Sequence, residues 1–220
     1  MTLEIRRLHL ARLQGPDGLE WPVHGFVVIH PGGAALVDTG VGGPDELLTD
    51  WRVVNTTAAD ALAEIGMSPA DIGMIINTHL HFDHCGQNAV FPHAPYFVQR
   101  TELSRCQREA AELYEWFDFM NARFELLDGD TELLPGLSVL TTPGHTSGHQ
   151  SVVVTADDGS ADVLIGDAAY TPRVYRETPA QLPDGQAADR PSWEQSLTRI
   201  RSAGSGGRVH FCHHTDVVHG

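Results

Sequence analysis

The run Thr78-His79-Leu80-His81-Phe82-Asp83-His84 places four potential metal ligands within six residues. Imidazole nitrogen with carboxylate oxygen is the donor set that suits zinc, with iron, manganese or nickel as alternatives. In extended or looped backbone His79 and His81, two apart, point the same way, while Asp83 and His84 turn toward a neighbouring point. That geometry suits two metals better than one. A lone histidine is more often a satisfied core or surface group; four ligand-type residues at this spacing reverse that reading. The apolar stretch Met74 to Asn77 just before the run reads as a buried strand, so the cluster sits where a rigid scaffold hands over to a functional loop.

Further candidates lie downstream. Thr142-Pro143-Gly144-His145-Thr146-Ser147-Gly148-His149 is a glycine-rich loop with two histidines, and glycine lets backbone approach a site closely. Asp167 follows the apolar run Val163 to Ile165, and His213 and His214 follow Val209 to Cys212. Each has an ordinary reading as a turn or strand-end polar residue. Their shared position just after a strand joins them to the cluster.

Composition narrows the chemistry. The chain of 220 residues is 41% hydrophobic and 20% charged, as in ordinary globular proteins, and is read as one domain over residues 1–220. All fourteen basic residues are arginine. The absence of lysine excludes Schiff-base chemistry on lysine and a phosphate-binding loop ending in Gly-Lys-Ser/Thr. A net charge of −15 disfavours nucleic-acid and anionic-membrane partners. Cys85, Cys106 and Cys212 are odd in number and unpaired in spacing, which fits reduced thiols in a cytoplasmic protein. Residues 1–15 alternate apolar and charged positions like a strand rather than a signal peptide, and no apolar run approaches membrane-spanning length.

Outward from the cluster, strands and helices interleave. Gly15-Pro16-Asp17-Gly18 reads as a turn, then His24 to His30 and Ala34 to Val37 form a hairpin ending on Asp38-Thr39-Gly40. Residues from Gly42 to about Asn55 read as loop. A helix spans Ala58 to Ile65 with Thr56 or Thr57 as cap, and Ser68-Pro69-Ala70-Asp71 is a short helical turn. Tyr96 to Val98 is a strand, followed by one long helix from a Thr101 cap through Phe117. Strands follow at Phe124 to Leu127, Leu137 to Thr141, Ser151 to Thr155 and Val163 to Ile165, then a helix at Ser192 to Ser202 and a last strand, Val209 to Cys212. A weak internal echo relates Ala34 to Gly40 and Asp162 to Ala168, each an apolar strand running into an aspartate, as in two similar halves of a sandwich.

The order Thr-His-Leu-His-Phe-Asp-His, then Pro143-Gly144-His145, then Asp167 after a strand, then a strand-terminal histidine, resembles the metallo-β-lactamase superfamily. Val98-Gln99-Arg100-Thr101-Glu102, the Gly129-Asp130 turn, Pro143 to Ser151 and Asp167-Ala168-Ala169-Tyr170-Thr171 are similar to its N-acyl-homoserine lactonase family. The likeness covers roughly residues 20–215. It implies an α/β fold, a four-layer αβ/βα sandwich of two mixed β-sheets flanked by helices. It implies two Zn2+ per chain, with iron, manganese or cobalt as alternatives: His79, His81 and His145 on one, Asp83, His84 and the last histidine on the other, and Asp167 bridging. His214 is the choice for that last ligand by fit to the family's Phe-x-Gly-His-Asp ending, with His213 as the alternative.

The implied activity is opening of the lactone ring of N-acyl-homoserine lactones, that is, quorum quenching. Two neighbouring cations bring the pKa of a bridging water to about neutral and so make hydroxide available as the nucleophile. Tyr170 resembles the family tyrosine that hydrogen-bonds the carbonyl oxygen, set against the plainer role of a packed strand-end aromatic. Asp83 would also pass the proton to the leaving alkoxide. His149 is read as a supporting residue and Asp38 as orienting the histidine loop. The acyl pocket has two candidates, the aromatics of Tyr114 to Phe119 and the loop Thr171 to Pro191. The partner is a small lactone, with a homodimer compatible with the resemblance. A glyoxalase II-like thioesterase or broader ester hydrolase is the first alternative, and a non-hydrolytic di-iron redox scaffold the second.

Overall fold

In the computed structural model, which describes residues 3–15 and 18–219, the chain builds two β-sheets. The expected turn at Gly15 to Gly18 includes Pro16 and Asp17, which lie outside the described residues. The first sheet holds β1 (Glu4–Gln14), β2 (Glu20–Ile29), β3 (Ala34–Val37), β4 (Val54–Asn55), β5 (Ile72–Ile76), β6 (Tyr96–Gln99) and β7 (Phe124–Leu127), in the order β4-β1-β2-β3-β5-β6-β7. The second holds β8 (Thr131–Leu134), β9 (Leu137–Thr141), β10 (Gln150–Thr155), β11 (Ala161–Leu164), β12 (Arg208–His210) and β13 (Val217–His219), in the order β13-β12-β11-β10-β9-β8. Both are mixed: β3, β5, β6 and β7 run parallel in one, β11 and β12 in the other.

Strand alternation makes the layers. Phe26, Val28, Ala35, Val37 and Ile76 of the first sheet pack on Leu137, Val139, Val152, Val154 and Leu164 of the second. Their in-between neighbours Val27, Leu36 and Ile75 face a separate cluster with α1 (Asp45–Asp50) and α2 (Ala58–Glu64). Val153 and Val163 face outward onto α6 (Pro172–Glu177) and α7 (Arg190–Ala203). A side-chain period of two puts apolar residues on both faces of each sheet only when both are covered. The result is the expected helix–sheet–sheet–helix sandwich. No helix among the described residues is long and apolar enough to cross a membrane.

Several boundaries differ from the sequence reading. The long helix expected from a Thr101 cap to Phe117 is two, α4 (Arg100–Glu109) and α5 (Ala111–Phe117), broken at Ala110 with φ −141° and ψ 47°. Its N-cap is Gln99, not Thr101. The break lets the buried side of α5 turn Phe117 onto Leu80, Val98 and Cys106, so this aromatic is core rather than pocket. The Gly42 to Asn55 loop contains α1 and β4, where Pro44 opens the helix and Asp45 and Glu46 fill its first turn. Short α6 lies in the Thr171 to Pro191 loop, capped by Thr171 and started by Pro172.

The two strands of the internal echo, β3 and β11, lie in different sheets and deliver Asp38 and Asp167 to the same end of the sandwich. The histidine run follows β5 as α3 (Phe82–Cys85), preceded by extended His81. The His145 loop follows β9 and His213 follows β12. Ligand sites in α/β sheets gather outside the carboxyl ends of strands. Trp193 of α7 anchors this end: it is fully buried, its indole N–H donates to Ala168 O at 2.6 Å, and Gly144 (φ +136°) packs on its backbone so closely that a Cβ would lie 2.4 Å from Trp193 Cα. Trp193→Ala is expected to destabilise the fold by about 3–5 kcal/mol, measured by urea denaturation.

Candidate metal centre

Asp38 organises the histidine run. It sits at the end of β3 in the left-handed region, φ 59°, a conformation that persists only where the surroundings enforce it. Its Oδ1 accepts the Thr78 backbone N–H at 2.8 Å, and its Oδ2 accepts both Thr78 Oγ1 and His84 Nδ1 at 2.8 Å. The carboxylate thereby places the proton of His84 on Nδ1 and leaves Nε2 as a lone pair facing inward. Other outer nitrogens are fixed likewise. His79 Nδ1 meets Thr78 Oγ1 at 3.1 Å, His145 Nδ1 donates to Gly185 O at 2.9 Å, and His213 Nδ1 donates to Pro22 O at 2.9 Å. Outer hydrogen bonds of this kind set the tautomer and ring orientation of ligating histidines.

The inner atoms converge in two groups. His79 Nε2 and His145 Nε2 lie 2.9 and 3.1 Å from His81 Nδ1, and 3.9 and 3.4 Å from Asp167 Oδ2. His84 Nε2 and His213 Nε2 lie 3.6 and 3.5 Å from Asp83 Oδ2, and 3.3 and 3.2 Å from Asp167 Oδ1. Zinc bonds of about 2.0–2.2 Å in a tetrahedron put neighbouring donors about 3.3–3.6 Å apart, and the inner-atom distances here, from 2.9 to 3.9 Å, lie around that spacing. The two oxygens of one carboxylate thus serve two groups of donors. Buried His84 Nε2 and Asp167 Oδ1 have no hydrogen-bond partner. Two lone pairs 3.3 Å apart in a dry interior repel unless a positive charge stands between them. The residues therefore fit a pair of divalent metals.

Electrostatics tell the same story. Burial, reinforced by the neighbouring rings, pushes His79, His81 and His145 below the ordinary histidine pKa. Burial acts the same way on His84 and His213, but the carboxylates of Asp167 and Asp83 outweigh it and raise both. Burial would lift Asp167; His84 and His213 instead hold it far down. The centre is short of positive charge, as a site built for cations is.

His214 is not in this cluster. It is about one-third exposed, and its Nδ1 accepts the Asp216 backbone N–H at 3.0 Å. His213, not the expected His214, is the histidine that stands with Asp83, His84 and Asp167. Beyond β12 the chain bends with Cys212 packed inward, its Sγ donating to His24 O, so residue 213 faces Pro22 and the two aspartates while residue 214 closes a surface turn. Of the other sequence-selected residues, His79, His81, Asp83, His84, His145 and Asp167 are all brought together. His149 Nε2 accepts the Asp167 N–H at 3.0 Å, and burial lowers its pKa to about 3, so it braces the bridging aspartate.

Over the cluster stands Tyr170, its ring edge-on to His145 and His213 at 5.8 and 5.4 Å between centroids. Burial, then Asp167 and Asp83, raise its pKa, so the phenol is a neutral donor.

A profile of the metallo-β-lactamase superfamily matches residues 18–207. An N-acyl homoserine lactonase of Bacillus sp is 33% identical over 168 residues, covering 70% of this chain and 66% of the relative. One of Bacillus cereus is 31% identical over 174 residues, covering 72% and 68%. The chain belongs to the metallo-β-lactamase superfamily, in its N-acyl homoserine lactonase family. It spans about two thirds of the length of these curated relatives. A solved quorum-quenching N-acyl homoserine lactone lactonase superposes with TM-score 0.80 at 26% identity, over 97% of this chain and 93% of that one.

Three parts of this lactonase-family site were not legible as such. Trp21, at the start of β2, packs edge-on to Tyr170 at 5.7 Å and to His213 at 6.4 Å. Gln186 is fully buried: its Oε1 accepts Tyr170 N–H at 2.8 Å and its Nε2 donates to Asp167 O at 2.7 Å. Glu102 is equally buried beneath the ligand loops. Glu102 lies in the family-like segment Val98 to Glu102, though nothing there marks its role, and nothing local marks a strand-start tryptophan or Gln186 for a site whose ligand-type residues lie far along the chain.

The register of the last histidine can be tested directly. His213→Ala is expected to lose about half of the bound metal, whereas His214→Ala retains the wild-type content, as measured by elemental analysis of dialysed protein.

Proposed function

We propose that the protein is a di-zinc hydrolase that opens the lactone ring of N-acyl-homoserine lactones. The observation that carries the reading is the division of Asp167's two oxygens between two donor groups, His79, His81 and His145 on one side and Asp83, His84 and His213 on the other. The names of the relatives and of the superposed structure supply the substrate class. The two zinc ions, when bound, supply a water acidified to about neutral pH as nucleophile and a positive centre for the carbonyl oxygen.

The side chains account for the remainder. Ring opening breaks the acyl C–O bond and yields a carboxylate and an alkoxide. Tyr170, a neutral phenol above the cluster, donates to the carbonyl oxygen as negative charge builds on it. Gln186 pins the Tyr170 backbone to that of Asp167 and so fixes the donor's height over the site. Asp83, buried at the edge of the second group, takes up the proton that the attacking oxygen loses as the carboxylate forms and passes it to the alkoxide. Trp21 packs on Tyr170, and Gly185 of the loop after Asp167 holds His145, so the Thr171 to Pro191 loop, rather than the buried Phe117 region, is the wall proposed for the acyl chain.

Purified protein with two equivalents of zinc is expected to release one proton per homoserine lactone opened, recorded with a pH indicator against a metal-stripped control. No release across short and long acyl chains, or faster turnover of thioesters, contradicts the reading. Tyr170→Phe is expected to lower kcat by about 2–4 kcal/mol of transition-state stabilisation, roughly 30- to 1000-fold, with zinc content unchanged.

A further inference from the structure

Beneath the cluster, outside the proposed ligands, lies a carboxylate with no exposed surface. Glu102, in the first turn of α4, accepts the Leu80 backbone N–H on Oε1 at 2.9 Å, and Leu80 is the residue between His79 and His81. Its Oε2 accepts Thr146 Oγ1 at 2.7 Å, and Thr146 follows His145. One side chain thus grips both loops of the first donor group and none of the three residues of the second. Space is tight around it: a Cβ on Gly148 would lie 2.2 Å from Glu102 N.

Arg105, one turn on and also buried, donates to Glu102 Oε1 through Nε at 3.1 Å and a terminal nitrogen at 2.6 Å, and reaches Leu80 O at 3.5 Å. A buried ion pair of this kind is generally no more stabilising than apolar residues of similar volume. Stability alone does not account for its presence. What it supplies is two rigid acceptors, aimed in two directions, under two loops whose histidines must converge.

We propose that Glu102 is a positioning residue that sets the spacing of His79 and His81 against His145, and thereby the metal affinity of that donor group, without touching metal or substrate. This rests on the di-zinc reading above. Supports at one remove from a ligand change metal affinity about 10- to 100-fold when lost, and that is the size expected here.

The test titrates metal-free protein with Zn2+ against a chromophoric chelator, wild type first. Thr146→Val deletes one hydroxyl and leaves the ion pair whole; the double variant E102L/R105L removes the acceptors and leaves no unpaired buried charge. Both are expected to weaken one of two bound ions about 10- to 100-fold and leave the other unchanged. In a His145→Ala background Thr146→Val should then have no further effect. Wild-type affinity for both ions in both variants, or equal weakening of both, overturns the proposal. A wild type that fails to bind two ions overturns instead the di-zinc reading beneath it.

Discussion

One carboxylate, Asp167, faces two groups of donors at once. Its Oδ2 lies 3.4 Å from His145 Nε2 and its Oδ1 3.2 Å from His213 Nε2. Five imidazoles and two carboxylates cannot be held this close in a dry interior by hydrogen bonds alone, because too few protons are available and lone pairs are left facing one another, as at His84 Nε2 and Asp167 Oδ1. The folded chain supplies an arrangement that is unfavourable without cations and favourable with them. Folding and metal binding are coupled in such sites, since the free energy of binding is spent partly on holding like groups together.

The sandwich exists, in functional terms, to hold that arrangement open at one end. Parallel neighbours β3 and β5 in one sheet and β11 and β12 in the other release their loops side by side, so that residues from four separate stretches of chain meet. Each loop is then fixed by a buried polar partner: Asp38 under His84, Glu102 under Leu80 and Thr146, His149 under Asp167, and Gln186 between Asp167 and Tyr170. These partners hold the outer atoms of the site, while His84 Nε2 and Asp167 Oδ1 on its inner side are left without a hydrogen-bond partner. The loop after Asp167 does two tasks at once, since Gly185 O orients His145 while Gln186 sets the tyrosine.

Much of this was legible from residue order. The metal-ligand run, the Pro-Gly-His loop and Asp167 announce themselves because ligating chemistry requires particular side chains at short spacing, and near-continuous apolar runs in β2, β3 and β10 mark strands buried on both faces. Other features depend on contacts between distant parts of the chain. The exchange of His213 for His214 is such a case: adjacent histidines differ only in which way a bend turns them, and the Pro22 carbonyl that decides it is contributed by β2. The split at Ala110 is another, because the apolar spacing of Leu103, Cys106, Leu113 and Phe117 continues across the break while the backbone does not. Short β4, β8 and β13 have too few residues for a pattern and are recruited by the sheet edges they complete.

The account turns on Asp167 joining two metals, and elemental analysis of the Asp167→Asn protein measures that claim most directly. An amide keeps the shape but donates on one side, so it can no longer serve both donor groups. The expected result is a fall from two zinc ions per folded chain to one or fewer, with lactone opening lost in parallel. Two ions retained at wild-type affinity would contradict the shared-carboxylate arrangement on which the proposed function rests.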